Sequence, residues 1–357
     1  MKITIITPGL LCTVQDLGRS GWRSAGVPPG GAADAWSHRL ANLLVGNDDT
    51  AATLEIAGGN FRALVGRAGR LAVFGPGGEL WIDGMPIGNG RPVWVTPGSE
   101  IDIRPRPEGN YTYLAAFGGW EVPVLLGSRS TCLAAGFGGL EGRALRKGDA
   151  LATSSDDFKS SDEWSPATSS DDSRSFTPYS SDDSRSSTPY SSDDLESSDE
   201  GGAGKWRLPY REIPGNIIRV LPGPELGWWS AESRDRSFAA DFTISTQRDR
   251  MGVRLEGPAD LRNFEPAAGS MLSTAVMPGT VQIPPGGQPI VLLADAQTTG
   301  GYPRIAQVAA VDLPRLAQIP YGQTVRFQLI SLAQSERLFL EREIRLRRIR
   351  TALSLKK

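Results

Sequence analysis

Leu71-Ala72-Val73-Phe74, Leu80-Trp81-Ile82, Val93-Trp94-Val95, Ile101-Asp102-Ile103-Arg104 and Tyr111-Thr112-Tyr113-Leu114-Ala115 follow one another as short apolar runs separated by polar turns. Runs of this length, rich in β-branched and aromatic residues, read as strands, and Asp83-Gly84 between two of them is a strong hairpin turn. Turns at such regular spacing from Phe61 to Ala152 argue a β-barrel or a sandwich. Upstream, Ile3-Thr4-Ile5-Ile6 is a further strand, and Thr53-Leu54-Glu55-Ile56 is another that places Glu55 between apolar neighbours. Thr13 to Trp22 reads as a long loop, and Gly26 to Asp34 as a second one leading into a helix. Asp34 is a good N-cap there, Trp36, Leu40, Leu43 and Leu44 fall at helical spacing, and Gly46-Asn47 closes the helix.

The second half restarts at Ile217-Ile218-Arg219-Val220-Leu221 and continues through Phe242-Thr243-Ile244, Arg248 to Gly257 and Gly279 to Pro284. Next comes Pro289-Ile290-Val291-Leu292-Leu293-Ala294-Asp295-Ala296-Gln297-Thr298-Thr299-Gly300-Gly301-Tyr302-Pro303-Arg304-Ile305. It starts as an apolar strand and ends with Asp295, Gln297, Thr298, Thr299 and Tyr302 gathered around two glycines, a common way to build a small-molecule site. The competing reading is a tight turn in which Gly300-Gly301 only supplies positive φ. Val325 to Leu329 is a last strand, and a basic amphipathic helix from about Leu332 is expected to cover a barrel edge. Tyr113-Leu114-Ala115 ending at Gly118-Gly119-Trp120 echoes Leu292-Leu293-Ala294 ending at Gly300-Gly301-Tyr302, which suits two related barrels in tandem or a chance match.

The net charge of −2 hides an uneven distribution. Residues 154–200 carry thirteen acids against three bases, so the rest of the chain is mildly basic at +8, too weak a sign for a nucleic-acid binder. In that acidic stretch Ser-Ser-Asp-Asp recurs at 169, 180 and 191, a composition expected to be disordered. A tolerated linker expansion is the first reading, with Thr177-Pro178 and Thr188-Pro189 as phosphorylation sites the second. The division expected is residues 1–152 as an N-terminal β-barrel domain, 153–204 as linker, and 205–357 as a C-terminal β-barrel domain with its terminal helix. No apolar run is long enough to span a membrane, and the N-terminus lacks a secretory pattern, so a cytoplasmic protein is expected. Cys12 and Cys132 read as buried small apolar residues rather than a redox pair, and the single histidine, His38, excludes a His-cluster metal site.

Thr13-Val14-Gln15-Asp16-Leu17-Gly18-Arg19, Gly26-Val27-Pro28, Gly31-Ala32-Ala33-Asp34 and Leu40 to Asn47 together resemble the start of the biotin-dependent carboxyltransferase subdomain family. That family takes in the C subunit of 5-oxoprolinase, the KipA proteins and allophanate hydrolase subunit 2 of the urea amidolyase type. Gly127 to Thr131, Gly138-Gly139, Gly148-Asp149, Arg250-Met251-Gly252 and Gln297 to Pro303 match in order, so the resemblance covers nearly all of residues 1–152 and 205–335. Two departures stand out: Gly30 lies where the family often has serine, and the acidic repeat lies where it has a short linker.

The resemblance implies a mainly β protein of two tandem cyclophilin-like β-barrels with few short helices. It also implies partners: a KipI-like protein, equivalent to the B component of 5-oxoprolinase, and a protein like the A component of that enzyme. The first reading is thus a hydrolase component, active in complex, of an ATP-dependent 5-oxoprolinase that opens 5-oxoproline to glutamate. A carboxyltransferase component served by carboxybiotin on a partner is the second, and a KipA-like regulatory binding protein the third. No Walker-type loop and no Met-Lys-Met biotinylation site occur, so ATP is used by the complex and no biotin is carried by this chain. Both amide substrates need donors for a developing oxyanion and acceptors for N–H groups. Asp295, Gln297, Thr298 and Thr299 are the catalytic candidates, and Gly300, Gly301 and Tyr302 the substrate contacts beside them. Arg129 and Ser130 could hold a carboxylate or belong to a turn cluster. Gln15, Asp16 and Arg19 could touch substrate or pin their loop, and Glu55 and Arg250 are candidates for a buried pair.

Overall fold

The computed structural model describes residues 1–154, 196–197, 206–210, 215–257, 261 and 271–355. The acidic repeat, its two Thr-Pro pairs and the disorder expected for them fall outside the described residues. The chain is mainly β, with four α-helices among the described residues: α1 (Ala35–Val45), α2 (Ala231–Ala239), α3 (Leu313–Gln318) and α4 (Leu332–Ser354).

In the first half a six-stranded and a five-stranded sheet enclose one core that holds Ile3, Ile5, Val14, Leu54, Phe61, Leu80, Ile101 and Trp120. The strand Phe61–Arg67 alternates between buried and exposed residues along most of its length, because one of its faces meets solvent. Tyr111–Ala116 is buried throughout. It lies at the centre of the five-stranded sheet, with the shared core on one face and α1 on the other, so no position along it tolerates water. The Asp83-Gly84 hairpin has positive φ at both residues (51° and 77°), as the favoured two-residue turn requires.

The second half closes into a seven-stranded barrel in the order Ile217–Pro222, Arg304–Val308, Thr280–Gln282, Ile290–Leu292, Gly252–Glu256, Phe242–Arg248 and Thr324–Leu329. Closure removes the open edges, and the parallel pairing of Ile217–Pro222 with Thr324–Leu329 completes the ring. Val220, Phe242, Ile244, Val253, Leu255, Val281, Val291 and Phe327 fill its interior.

Two local expectations change. Thr13, Val14 and Gln15 belong to the strand Leu11–Gln15, paired with Thr53–Ala57, so the loop begins only at Asp16. The helix α4 does not cap a barrel edge. It returns to the first half and covers α1: Leu346 and Leu353 join the core of Leu40, Leu43 and Leu44, and Arg39 forks onto Glu343 at 2.6 and 2.9 Å. A helix whose buried stripe finds apolar partners on another helix gains more there than along a strand edge.

The helix α1 begins as expected, with Asp34 accepting from Ser37 N at 2.9 Å, and ends at Gly46 in the left-handed region. Inside it His38 is fully buried, its Nδ1 2.8 Å from Thr53 Oγ1. Burial pushes the imidazole down to about 4 from an ordinary 6.5, partly opposed by Asp16. The unfolded chain therefore takes up a proton before the native one does, and His38 contributes stability that is complete above about pH 6.5. Stability should fall as pH drops from there to about 4, by up to about 3 kcal/mol. Denaturant midpoints measured across this interval should show the fall in wild type and a flatter profile in His38→Gln.

Candidate functional site

The stretch Asp295 to Tyr302 leaves the barrel strand Ile290–Leu292, turns, and pairs Thr299–Gly300 with Thr274–Ala275. Neither Gly300 nor Gly301 has positive φ, so a turn requirement is not what selects glycine here. At Gly300 a Cβ would stand 2.6 Å from Gln282 Nε2, the end of a side chain that would have to move to admit it. Gln297, Thr299, Gly301 and Tyr302 are exposed and Thr298 and Gly300 half-buried, leaving this polar set open to a ligand.

An open groove of about 660 Å³ lies against this stretch. The second half contributes Ala275, Val276, Met277, Thr298 and Thr299, and the first half contributes Arg23, Ser24 and Gly26 from the turn Arg23–Ala25 and its end. The groove thus belongs to both halves. Arg23, Ser24 and Gly26 were not among the sequence candidates, because nothing in the local pattern of that loop marks which residues a distant segment will face.

Arg250 holds the two sides together. It is 4% exposed, and its Nε and Nη2 donate to Asp295 Oδ2 and Oδ1 at 2.7 and 2.9 Å. Its Nη1 donates to Glu55 Oε1, and Nη2 also to Gly31 O at 2.6 Å. Burial opposes charge on this guanidinium, but Glu55 and Asp295 outweigh it and hold the group well above its ordinary value. The other oxygen of Glu55 accepts from Tyr113 Oη and Ala33 N, each at 2.8 Å. Asn110 and Gln318 add a second seam. Asn110 Nδ2 donates to the Ala317, Gln318 and Ile319 carbonyls, and Gln318 Nε2 donates to Asp34 Oδ2 at 2.8 Å. Glu55 and Arg250 are therefore a buried pair, extended by Asp295 into a three-residue network across the halves.

The remaining candidates gather in the first half. Asp16 Oδ1 accepts from Gly18 N at 2.7 Å and from Ser128 Oγ and Ser130 Oγ at 2.6 Å, and Oδ2 accepts from Arg129 N at 2.5 Å. Gln15 Nε2 donates to Thr13 Oγ1 and Thr131 O. Arg19 is buried, donates from Nη2 to Ser130 O and stacks 4.8 Å from the Phe137 ring centroid, while its Nε and Nη1 find no acceptor among the described residues. Asp295, expected as a catalytic contact, has both oxygens occupied by Arg250, and Asp16, for which contact or pinning was open, pins the loop at Ser128 to Ser130 with both of its oxygens. Arg129 is half-buried and does not line the groove, nor do Gln15, Ser130 and Arg19.

Cys12 and Cys132 are buried free thiols, and burial, then Glu55, pushes Cys12 far up, so it stays protonated. Among the described residues no group of three or more His, Cys, Asp or Glu could hold a metal ion, and no helix is long and apolar enough to cross a membrane.

The sequence matches the carboxyltransferase domain, subdomain A and B, over residues 25–329. The chain belongs to this carboxyltransferase subdomain family. Among its relatives, the C subunit of 5-oxoprolinase from Escherichia coli (strain K12) is 36% identical over 333 residues, covering 93% of this chain and 93% of that protein. Urea amidolyase of Lachancea kluyveri is 29% identical, with 94% of this chain matching only 17% of that protein. The crystal structure of Kluyveromyces lactis urea carboxylase superposes on 97% of this chain with a TM-score of 0.77 and 25% identity, over 29% of its own length.

Proposed function

We propose that this chain is the C-type component of an ATP-dependent 5-oxoprolinase, an enzyme complex that opens the ring of 5-oxoproline to give glutamate. The observation that carries the reading is the match in length: likeness to a separate 5-oxoprolinase polypeptide extends over 93% of both proteins. Likeness to urea amidolyase is confined to a 17% segment of a larger protein. In the proposed reaction, water oxygen adds to the lactam carbonyl, the C–N bond breaks, and the ring nitrogen leaves with a proton as the amine. ATP is used by the complex.

Thr298 and Thr299 line the second-half wall of the groove, and in this reading their hydroxyls donate to oxygen as negative charge develops on it. Beside them the exposed Gln297 amide can accept from the ring N–H. Replacing one such donor commonly lowers turnover by about 10²-fold or more. Co-expression with A-type and B-type partners and assay of ATP-dependent glutamate release tests the reading. Gln297→Ala and Thr299→Ala should each lower release at least about tenfold. Wild-type rates in both would remove these residues from the site. Absence of release, with carboxylation of urea by a biotinylated partner, would instead favour the carboxyltransferase reading. The superposition on urea carboxylase is the observation on that side.

A further inference from the structure

We infer that Arg23 anchors a substrate carboxylate, and that the groove therefore selects a carboxylate-bearing lactam over a neutral amide. The inference rests on the lactam-opening reading above and deepens it. Arg23 is the one charged side chain lining the groove among the described residues. It stands on the first-half wall, while Thr298 and Thr299 stand on the second-half wall beside Ala275, Val276 and Met277.

Five partly or fully buried arginines elsewhere in this fold meet protein carboxylates, while Arg19, Arg91 and Arg248 bond backbone carbonyls and Arg70 stacks on Phe117. Arg39 meets Glu343 and Asp49, Arg143 meets Asp149, Arg219 meets Asp312, Arg250 meets Glu55 and Asp295, and Arg304 meets Glu225. Arg23 is half-buried and forms no ion pair with any described residue. Its backbone, by contrast, is fixed. Ala25 N and Val27 N donate to Trp22 O at 3.0 and 3.2 Å, and Gly26 N donates to Arg23 O at 3.0 Å. A guanidinium on a fixed turn, partly withdrawn from water and with no counter-charge among the described residues, suits an external carboxylate.

The chemistry of the two walls fits one ligand class. A small lactam acid has a carboxylate on one ring carbon, methylenes around the ring, and an amide across from them. The carboxylate pairs with Arg23, the methylenes lie along Val276 and Met277, and the amide reaches Thr298 and Thr299. Urea offers the amide but neither of the other two groups. Arg129, which the sequence left open as a carboxylate ligand or part of a turn cluster, is not part of either wall.

The test uses the full chain, as wild type, Arg23→Gln and Arg23→Lys, titrated calorimetrically with 5-oxoproline and with 2-pyrrolidinone, the same ring without its carboxylate. In parallel, KM for 5-oxoproline is measured in the reconstituted complex. Wild type should prefer 5-oxoproline, and Arg23→Gln should lose about tenfold or more of that preference. Lysine should restore part of it, and binding of 2-pyrrolidinone should not change. If neither binding nor KM responds to Arg23→Gln, or wild type treats the two lactams alike, the anchor is wrong. Normal turnover with an unchanged KM would discard the anchor and leave the 5-oxoprolinase reading standing. Carboxylate-dependent binding without glutamate release would keep the anchor and discard that reading.

Discussion

Arg250→Met is expected to lower stability by about 3–5 kcal/mol, the range for removing one member of a buried ionic group. The substitution preserves most of the side-chain volume, so packing is not the cause. It strands Glu55 at 2% exposure and Asp295 at 5%, both facing the space that the cation filled, and leaves Gly31 O without its donor. Coulomb attraction at low dielectric compensates for desolvating three charged groups only while all three are present. The denaturant midpoint measures the loss. A control follows from the same physics: Glu55→Leu with Asp295→Leu in the Arg250→Met background should recover much of it, because an apolar core carries no unpaired charge. A midpoint for Arg250→Met equal to wild type would mean that the network contributes nothing. The effect should also reach function, since Asp295 opens the stretch whose Thr298 and Thr299 line the groove, and Gly31 lies in the loop that supplies Gly26.

Asp16→Ala is the second large effect, expected at about 3 kcal/mol for a buried, charged acceptor removed from its donors. One carboxylate there accepts four hydrogen bonds from Gly18, Ser128, Arg129 and Ser130. Bonds to an ionised acceptor are each stronger than neutral ones, and buried donors left without it keep their full desolvation penalty. Ser128 and Ser130 are 1% and 0% exposed, so water does not replace the missing oxygen without opening the loop. Asp16→Asn should cost less than alanine but still weaken the site, because the amide turns one acceptor into a donor facing donors. Hydrogen exchange at the Gly18 and Arg129 amides is the direct readout. Protection unchanged in Asp16→Ala would show that the loop is held by something else.

The fold class was legible in the sequence because β patterning is local. The Asp83-Gly84 turn, the alternation in Phe61–Arg67 and the capping of α1 by Asp34 each depend on a few neighbouring residues, and each forms as read. Errors arose where a distant partner decided the outcome. Thr13 and Gln15 carry polar side chains that suit a loop, yet pairing with Thr53–Ala57 makes them part of a strand. The terminal helix declares its amphipathic face but not its partner, and α1 takes it because Leu40, Leu43 and Leu44 offer apolar area on that side.

The candidate site divides along the same line. Residue order alone makes Asp295 to Tyr302 a polar cluster at a strand end. Which of those groups stay free depends on contacts between distant segments. Packing closes Asp295 into an ion network with Arg250 and Glu55 and turns Asp16 inward to hold the loop at Ser128 to Ser130. It also brings Arg23 to the groove wall facing Thr298 and Thr299, across more than two hundred residues of chain. Local chemistry fixes the type of each segment. Long-range packing and charge pairing fix which polar groups the protein uses itself and which it leaves for a ligand.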